Sequence, residues 1–195
     1  MLFTSPTSGK MTLQETFNEI VDFVREKPKA EYKLIIGSDS HTHQDKKTTF
    51  VTAIIIHRVG KGGRYFFYRE KRRFLDSLRQ RIFFEASLSL DVAGRFSELL
   101  SENGHAHLNV EIHLDVGEAG DTKELIREVV GMVIGSGFDA RINGWLAIPK
   151  ALGGTIKLIP DLIKYKKNPF VYFYQRIKAS IYILTTKPGK VVAKK

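Results

Sequence analysis

Apolar residues recur at two different periods along the chain, and the switches between them mark its elements. Leu13, Phe17, Ile20, Val21 and Val24 fall on one face at spacings of three and four, which predicts an amphipathic helix running to about Lys27. Thr12 and Glu15 read as a capping box ahead of it, and Pro28 ends it. Tyr32–Ser38, Phe50–Arg58 (FVTAIIIHR) and Arg64–Arg69 (RYFFYR) read as three strands. Gly60, Gly62 and Gly63 mark the turn between the last two; no Gly-Lys-Ser/Thr follows and no helix opens there, so they are not a phosphate loop. The three strands follow each other too closely for helical crossovers and predict an antiparallel meander.

The period then returns to helical. Leu78, Ile82, Glu85, Ser89, Ala93, Phe96 and Leu100 predict a long helix from Leu75 to about Leu100, stopped by Asn103-Gly104. Leu108, Val110, Ile112 and Leu114 alternate, a fourth strand closing on Asp115. Thr122 opens a helix over Lys123–Ile134, and Phe138–Ile142 reads as a short fifth strand. Strands reached through helical crossovers run parallel to the strand they join. The prediction is one α/β domain over residues 12–142 with a mixed five-stranded sheet: strands one to three as a meander, strands four and five parallel to strand one, helices flanking. Residues 1–11 read as a loose lead-in and 143–195 as a basic, aromatic-rich extension.

Three carboxylates break this pattern. Asp39 follows the apolar run Leu34–Ile36, Glu85 sits on the apolar stripe of the long helix, and Asp115 closes the fourth strand. Carboxylates at the margin of a core need a partner, and a shared cation is one. If strand four pairs with strand one, Asp39 and Asp115 come to neighbouring strand ends, where open α/β sheets hold ligands. Asp39 also fits a turn-forming Asp between Ser38 and Ser40, Glu85 a carboxylate reaching out to solvent, and Asp115 a cap on the loop at Gly117.

Composition changes the picture in one place. The formal charge is +10 over 195 residues. Residues 142–195 hold eleven Lys and Arg against one acid, Asp161, which leaves 20 basic and 20 acidic residues before them (31 less 11, 21 less 1). The whole excess is in the tail, where Lys164, Lys166, Lys167 and Arg176 interleave with Trp145, Tyr165, Phe170, Tyr172, Phe173, Tyr174 and Tyr182. Backbone charge and base stacking make that mixture suited to single-stranded nucleic acid; a helix or strand pair packed on the domain with Lys outside has the same composition. There is no cysteine, which excludes disulfides and thiolate metal sites. No apolar run is long enough to span a membrane and Met1–Lys10 lacks a signal-peptide core, so the expectation is a cytoplasmic protein with no membrane partner.

The segments EYKLIIGSDSH (Glu31–His41), FVTAIIIHRVGKGGRYFFYRE (Phe50–Glu70), DSLRQRIFFEASLSL (Asp76–Leu90) and HLDVGEAGDTKELI (His113–Ile126) resemble the YkuK-like family of uncharacterised bacterial proteins, within the ribonuclease H-like fold. The resemblance covers about residues 12–142. It implies a nuclease that cuts phosphodiesters with two divalent ions, Mg²⁺ or Mn²⁺, about 3.5–4 Å apart. By position it implies Asp39 as bridging ligand, with Glu85 and Asp115 completing the two shells. Glu118 and Asp121 are secondary candidates, as are His41 and His43. Relatives continue after the fifth strand with a K-P-x-S-x-x-A-S-x-x-A stretch; this chain reads RINGWLAIPKALGGTIK (Arg141–Lys157), with no acid until Asp161 and no His after His113. A frame change in the source gene would produce such a shift.

Two readings compete. A non-catalytic nucleic-acid-binding or scaffolding protein would keep the fold without a full site. Asp39-Ser-His41-Thr-His43 also resembles metal-dependent amidohydrolases and PHP-type phosphoesterases, but those use β/α barrels of about 250 residues, which the early meander argues against. His57 and His113 fall within strands and read as structural; His105 and His107 read as loop residues.

Overall fold

The computed structural model describes residues 1–42, 47–59, 62–73, 75, 77–114 and 122–142. Seven strands, β1 (Leu2–Ser5), β2 (Gly9–Thr12), β3 (Tyr32–Thr42), β4 (Lys47–Arg58), β5 (Gly62–Arg73), β6 (Val110–Leu114) and β7 (Asp139–Ile142), form one mixed sheet in the order β2-β1-β5-β4-β3-β6-β7. The helices are α1 (Leu13–Arg25), α2 (Leu78–Glu102) and α3 (Thr122–Gly135). The predicted α/β architecture with a mixed sheet and flanking helices is present. The count of five strands is corrected to seven, and the added hairpin alters the order.

The extra strands come from the predicted lead-in. β1 and β2 pair antiparallel from Leu2–Thr12 to Ser5–Gly9, and β1 joins the sheet through Thr4 opposite Phe67 of β5. Each strand is four residues, too short for alternation to register in a sequence window. What fixes the hairpin is Phe3, fully buried with its ring edge-on to Tyr68 at 5.3 Å. The turn closes on Ser5, whose Oγ accepts from the backbone N–H groups of Thr7 and Ser8, with Gly9 at φ 75°. Thr12 then serves both elements. It ends β2 and caps α1, its hydroxyl accepting from the Glu15 N–H at 3.2 Å while the Glu15 carboxylate accepts from the Thr12 N–H at 2.6 Å. That hydrogen bonding holds the Glu15 carboxyl below its ordinary pKa.

The meander β3–β4–β5 is antiparallel throughout, with Tyr32 opposite Arg58 and Thr42 opposite Thr48. At its β4–β5 end the backbone approaches so closely that a side chain on Gly63 would collide with the Ile56 carbonyl. β6 runs parallel to β3, Leu34–Val110 through Gly37–His113, and β7 runs parallel to β6.

The sheet's two faces are unequal. Leu34, Ile36, Ile54, Ile56, Phe66, Val110 and Ile112 alternate onto one face and join α1, α2 and α3 in a single core. Phe17, Ile20, Val21 and Val24 come from α1, Ile82, Ala86, Val92, Ala93, Phe96 and Leu100 from α2, and Leu125, Ile126, Val129 and Val133 from α3. Most positions of the predicted stripes therefore bury; Leu13 and Glu85 are half-buried and Leu78 is exposed. Val51, Ala53 and Phe67 form a smaller buried cluster on the other face, with Tyr65 packed against it. β4 is buried on both sides along most of its length, which explains its continuous β-branched sequence.

A polar group ties β6 to β7 on that second face. His113 Nε2 lies 3.0 Å from Glu111 Oε2, and Arg141 Nε of β7 lies 3.8 Å from the same oxygen. An ionised carboxylate only accepts, so the imidazole donates. This hydrogen bond first, and the nearby charges of His113, Lys33 and Arg141 after it, hold the Glu111 carboxyl below its ordinary range against the opposing effect of burial. His57, in β4, is also buried, and burial followed by the charge of Lys33 lowers its pKa, which favours the neutral imidazole.

Two outcomes follow for stability. Phe3→Ala removes a fully buried ring and is expected to cost about 3 kcal/mol in urea unfolding; a loss below about 1 kcal/mol would mean that the hairpin is not part of the core. Glu111, with its folded pKa depressed, contributes stability that is present above its unfolded value near 4.5 and lost as pH falls through the folded value. The urea midpoints of wild type and Glu111→Gln are therefore expected to differ at neutral pH and to converge below pH 4.5; a gap independent of pH would contradict this assignment.

Candidate functional site

Two of the three predicted carboxylates lie among the described residues. Asp39 was expected to close its strand, but β3 continues to Thr42, because antiparallel pairing with β4 runs on to Thr48. Asp39 is thus inside β3, opposite Val51, half-buried, and two residues past the last parallel pair, Gly37–His113. Its Oδ1 accepts from the Ser40 N–H at 2.8 Å. Glu85 is half-buried on α2, in the eighth position of that helix. Asp115 follows directly on Leu114, the last residue of β6, and lies outside the described residues, as do Glu118, Asp121, His43, Lys164, Lys166, Lys167 and Arg176. His41 pairs with Thr49 in the β3–β4 ladder.

What brings α2 to this part of β3 is a set of hydroxyls that sequence patterning does not single out. Ser38 Oγ lies 2.8 Å from Thr52 Oγ1 and 2.9 Å from Ser89 Oγ, all three side chains being buried. Ser89 Oγ also donates to the Glu85 carbonyl at 3.0 Å. One turn on the other side of Glu85, Arg81 Nη1 donates to Thr42 Oγ1 at 3.3 Å, and that hydroxyl meets Thr48 Oγ1 at 3.1 Å. Phe84 packs edge-on to Phe50 of β4, with ring centroids 4.7 Å apart. Glu85 is therefore carried on a helix turn anchored to β3 on both sides. The signal for these contacts was present as an i, i+4 row, Arg81–Glu85–Ser89, which faces one way on a helix.

Strand alternation adds a constraint. Ser38 and Thr42 turn towards α2, so Asp39 alternates to the opposite face of β3. Asp39 and Glu85 thus flank the same stretch of strand from opposite sides. Among the described residues, no group of three or more His, Asp or Glu side chains could hold a metal ion. The donor chemistry of the two carboxylates, hard anionic oxygen, is of the kind that Mg²⁺ and Mn²⁺ prefer.

Comparison with known proteins agrees with the topology. The family model described as "Ribonuclease H-like" matches residues 15–151. The chain is 34% identical to "Uncharacterized protein YkuK" of Bacillus subtilis (strain 168) over 153 residues, covering 73% of this chain and 88% of that relative. No solved structure matches. Among the described residues, no helix is long and apolar enough to cross a membrane. With the meander, the parallel β6 and β7 and the match over most of its length, this chain belongs to the ribonuclease H-like family, whose fold connects it with nucleic-acid-related function.

Proposed function

We propose that the chain is a divalent-metal-dependent nuclease or phosphodiesterase acting on nucleic acid, with Asp39, Glu85 and Asp115 as the residues that hold Mg²⁺ or Mn²⁺. The observation that carries this reading is the β3–β6 register. Leu34–Val110 through Gly37–His113 keep a constant offset of 76 residues (110 less 34), and the same offset takes Asp39 to Asp115. Asp39 lies two residues past the last β3–β6 pair and Glu85 on the helix packed against β3, so in this reading a shared ion would sit around the C-terminal part of β3.

Each residue has a distinct task in this reading. Asp39 would be a carboxylate ligand, and the Ser40 N–H on its Oδ1 restricts its rotamer. Glu85 is oriented by the turn that Ser89 and Arg81 anchor. Asp115 closes the set, with Glu118, Asp121, His41 and His43 as secondary contributors. Bound divalent ions would supply Lewis-acid stabilisation of phosphoryl oxygens and a water acidic enough to attack phosphorus at neutral pH. Lys164, Lys166, Lys167 and Arg176 would add sequence-independent attraction for the phosphate backbone.

A second reading is a non-catalytic nucleic-acid-binding or scaffolding protein that keeps the fold without a full site. A nuclease assay in Mn²⁺ on RNA, DNA and hybrid substrates separates the two. Wild type is expected to cleave at least one of them. Asp39→Asn is expected to be slower by on the order of 100-fold or more, equivalent to about 2.7 kcal/mol of barrier. EDTA is expected to abolish the cleavage. A wild-type protein that cleaves none of the three overturns the enzyme and leaves the binding protein.

A further inference from the structure

The i, i+4 row on α2 holds a cation whose bonding differs from that of its neighbours. Arg58 and Arg64 meet Glu26, Arg64 also meets Glu19, Arg79 meets Glu128 on α3, Arg95 meets Asp91, and Arg141 meets Glu111. Arg81 meets a neutral hydroxyl, that of Thr42. No ion pair joins it to a carboxylate among the described residues, and its buried Nε has no hydrogen-bond partner there. A guanidinium carries five donors in a fixed fork. The buried Nε is out of reach from solvent, but the side chain is only half-buried and its Nη1 bond to Thr42 is exposed, so the end of the guanidinium remains open to an acceptor that arrives from outside.

Its position says what that acceptor is. Arg81 is one helical turn from Glu85 and reaches Thr42, three residues along β3 from Asp39. On the α2 side of this stretch of strand, a guanidinium with no carboxylate partner among the described residues attracts a polyanion. The planar fork matches two oxygens of one phosphate, which an ammonium cannot do. The Thr42 hydroxyl, itself held by Thr48, steadies the guanidinium without neutralising it. We propose that Arg81 binds a backbone phosphate of a nucleic acid on the α2 side of β3, one helical turn from Glu85. The substrate class rests on the nuclease reading above; the phosphate site rests on the bonding of Arg81.

The test is fluorescence anisotropy of a labelled oligonucleotide with the full-length protein in EDTA, across a range of salt. Arg81→Gln is expected to weaken binding about tenfold and to reduce the salt slope by about one, the signature of one lost phosphate contact. Arg81→Lys is expected to retain the slope and lose part of the affinity. If Arg81 were only a strap between α2 and β3, Thr42→Val, which removes the acceptor and keeps the charge, would reproduce the Arg81→Gln loss together with its change in melting temperature. The expected result is that Thr42→Val leaves the slope unchanged. Equal affinity and slope for wild type and Arg81→Gln, or equal losses for Arg81→Gln and Thr42→Val, overturns the proposal.

Cleavage in Mn²⁺ separates this inference from the function it deepens. If Asp39→Asn abolishes cleavage while Arg81→Gln binds like wild type, the nuclease stands and the phosphate site falls. If wild type cuts nothing but the Arg81→Gln binding loss persists, the phosphate site stands and the nuclease falls. A wild type that binds no nucleic acid overturns both.

Discussion

The described structure depends on one apolar face. Leu34, Ile36, Ile54, Ile56, Phe66 and Ile112 stand side by side on β3 to β6, and every described helix buries its stripe against them. Each helix carries one apolar stripe and must bury it, so this contact decides where α1, α2 and α3 lie. It also carries the connectivity. The α2 segment must cross from the end of β5 to the start of β6, and packing along this face delivers β6 parallel to β3.

Within that layer α2 is fixed more finely by polar contacts than by apolar ones. A hydrophobic stripe tolerates rotation and sliding by a fraction of a turn. The buried Ser38–Ser89 and Ser38–Thr52 hydrogen bonds do not, because each hydroxyl displaced from its partner would be left unsatisfied in the core. This register sets Glu85 against β3 and sends Arg81 to Thr42. The candidate site is thus a consequence of core packing, with its chemistry at the point along β3 where the apolar run Leu34–Ile36 gives way to Ser38, Asp39 and Ser40. The second face has its own polar margin in Glu111, His113 and Arg141, on the two strands that follow β3 in the sheet.

Much of this was legible in the sequence, for physical reasons that differ by element. The capping box at Thr12 and Glu15 is a local chemical motif and appears as read. The meander was legible because its strands leave no room for crossovers, and β6 because alternation survives where only one face is deeply apolar. The hairpin β1–β2 was not, since four-residue strands show too little period and Phe3 is explained only by Tyr68, far along the chain. The extent of β3 was missed because Ser38–Thr42 carries no apolar signal; it is a strand through its ladder with β4. The hydroxyl contacts and Arg81 were not singled out because a partner 39 or 51 residues away has no local signature. A carboxylate such as Asp39 or Glu85 violates an apolar pattern outright, whereas Ser and Arg fit the margin of an amphipathic helix or strand.

The central claim is that Asp39, Glu85 and Asp115 share divalent cations around the C-terminal part of β3. Paramagnetic broadening by Mn²⁺ in a ¹⁵N-labelled protein tests it most directly. Substoichiometric Mn²⁺ is predicted to erase the backbone amide signals around Asp39, Glu85 and Asp115 together, and to leave those around Asn109 and Gly137, at the opposite end of β6, intact. Broadening that misses these three segments, or that affects only one of them, would contradict the account.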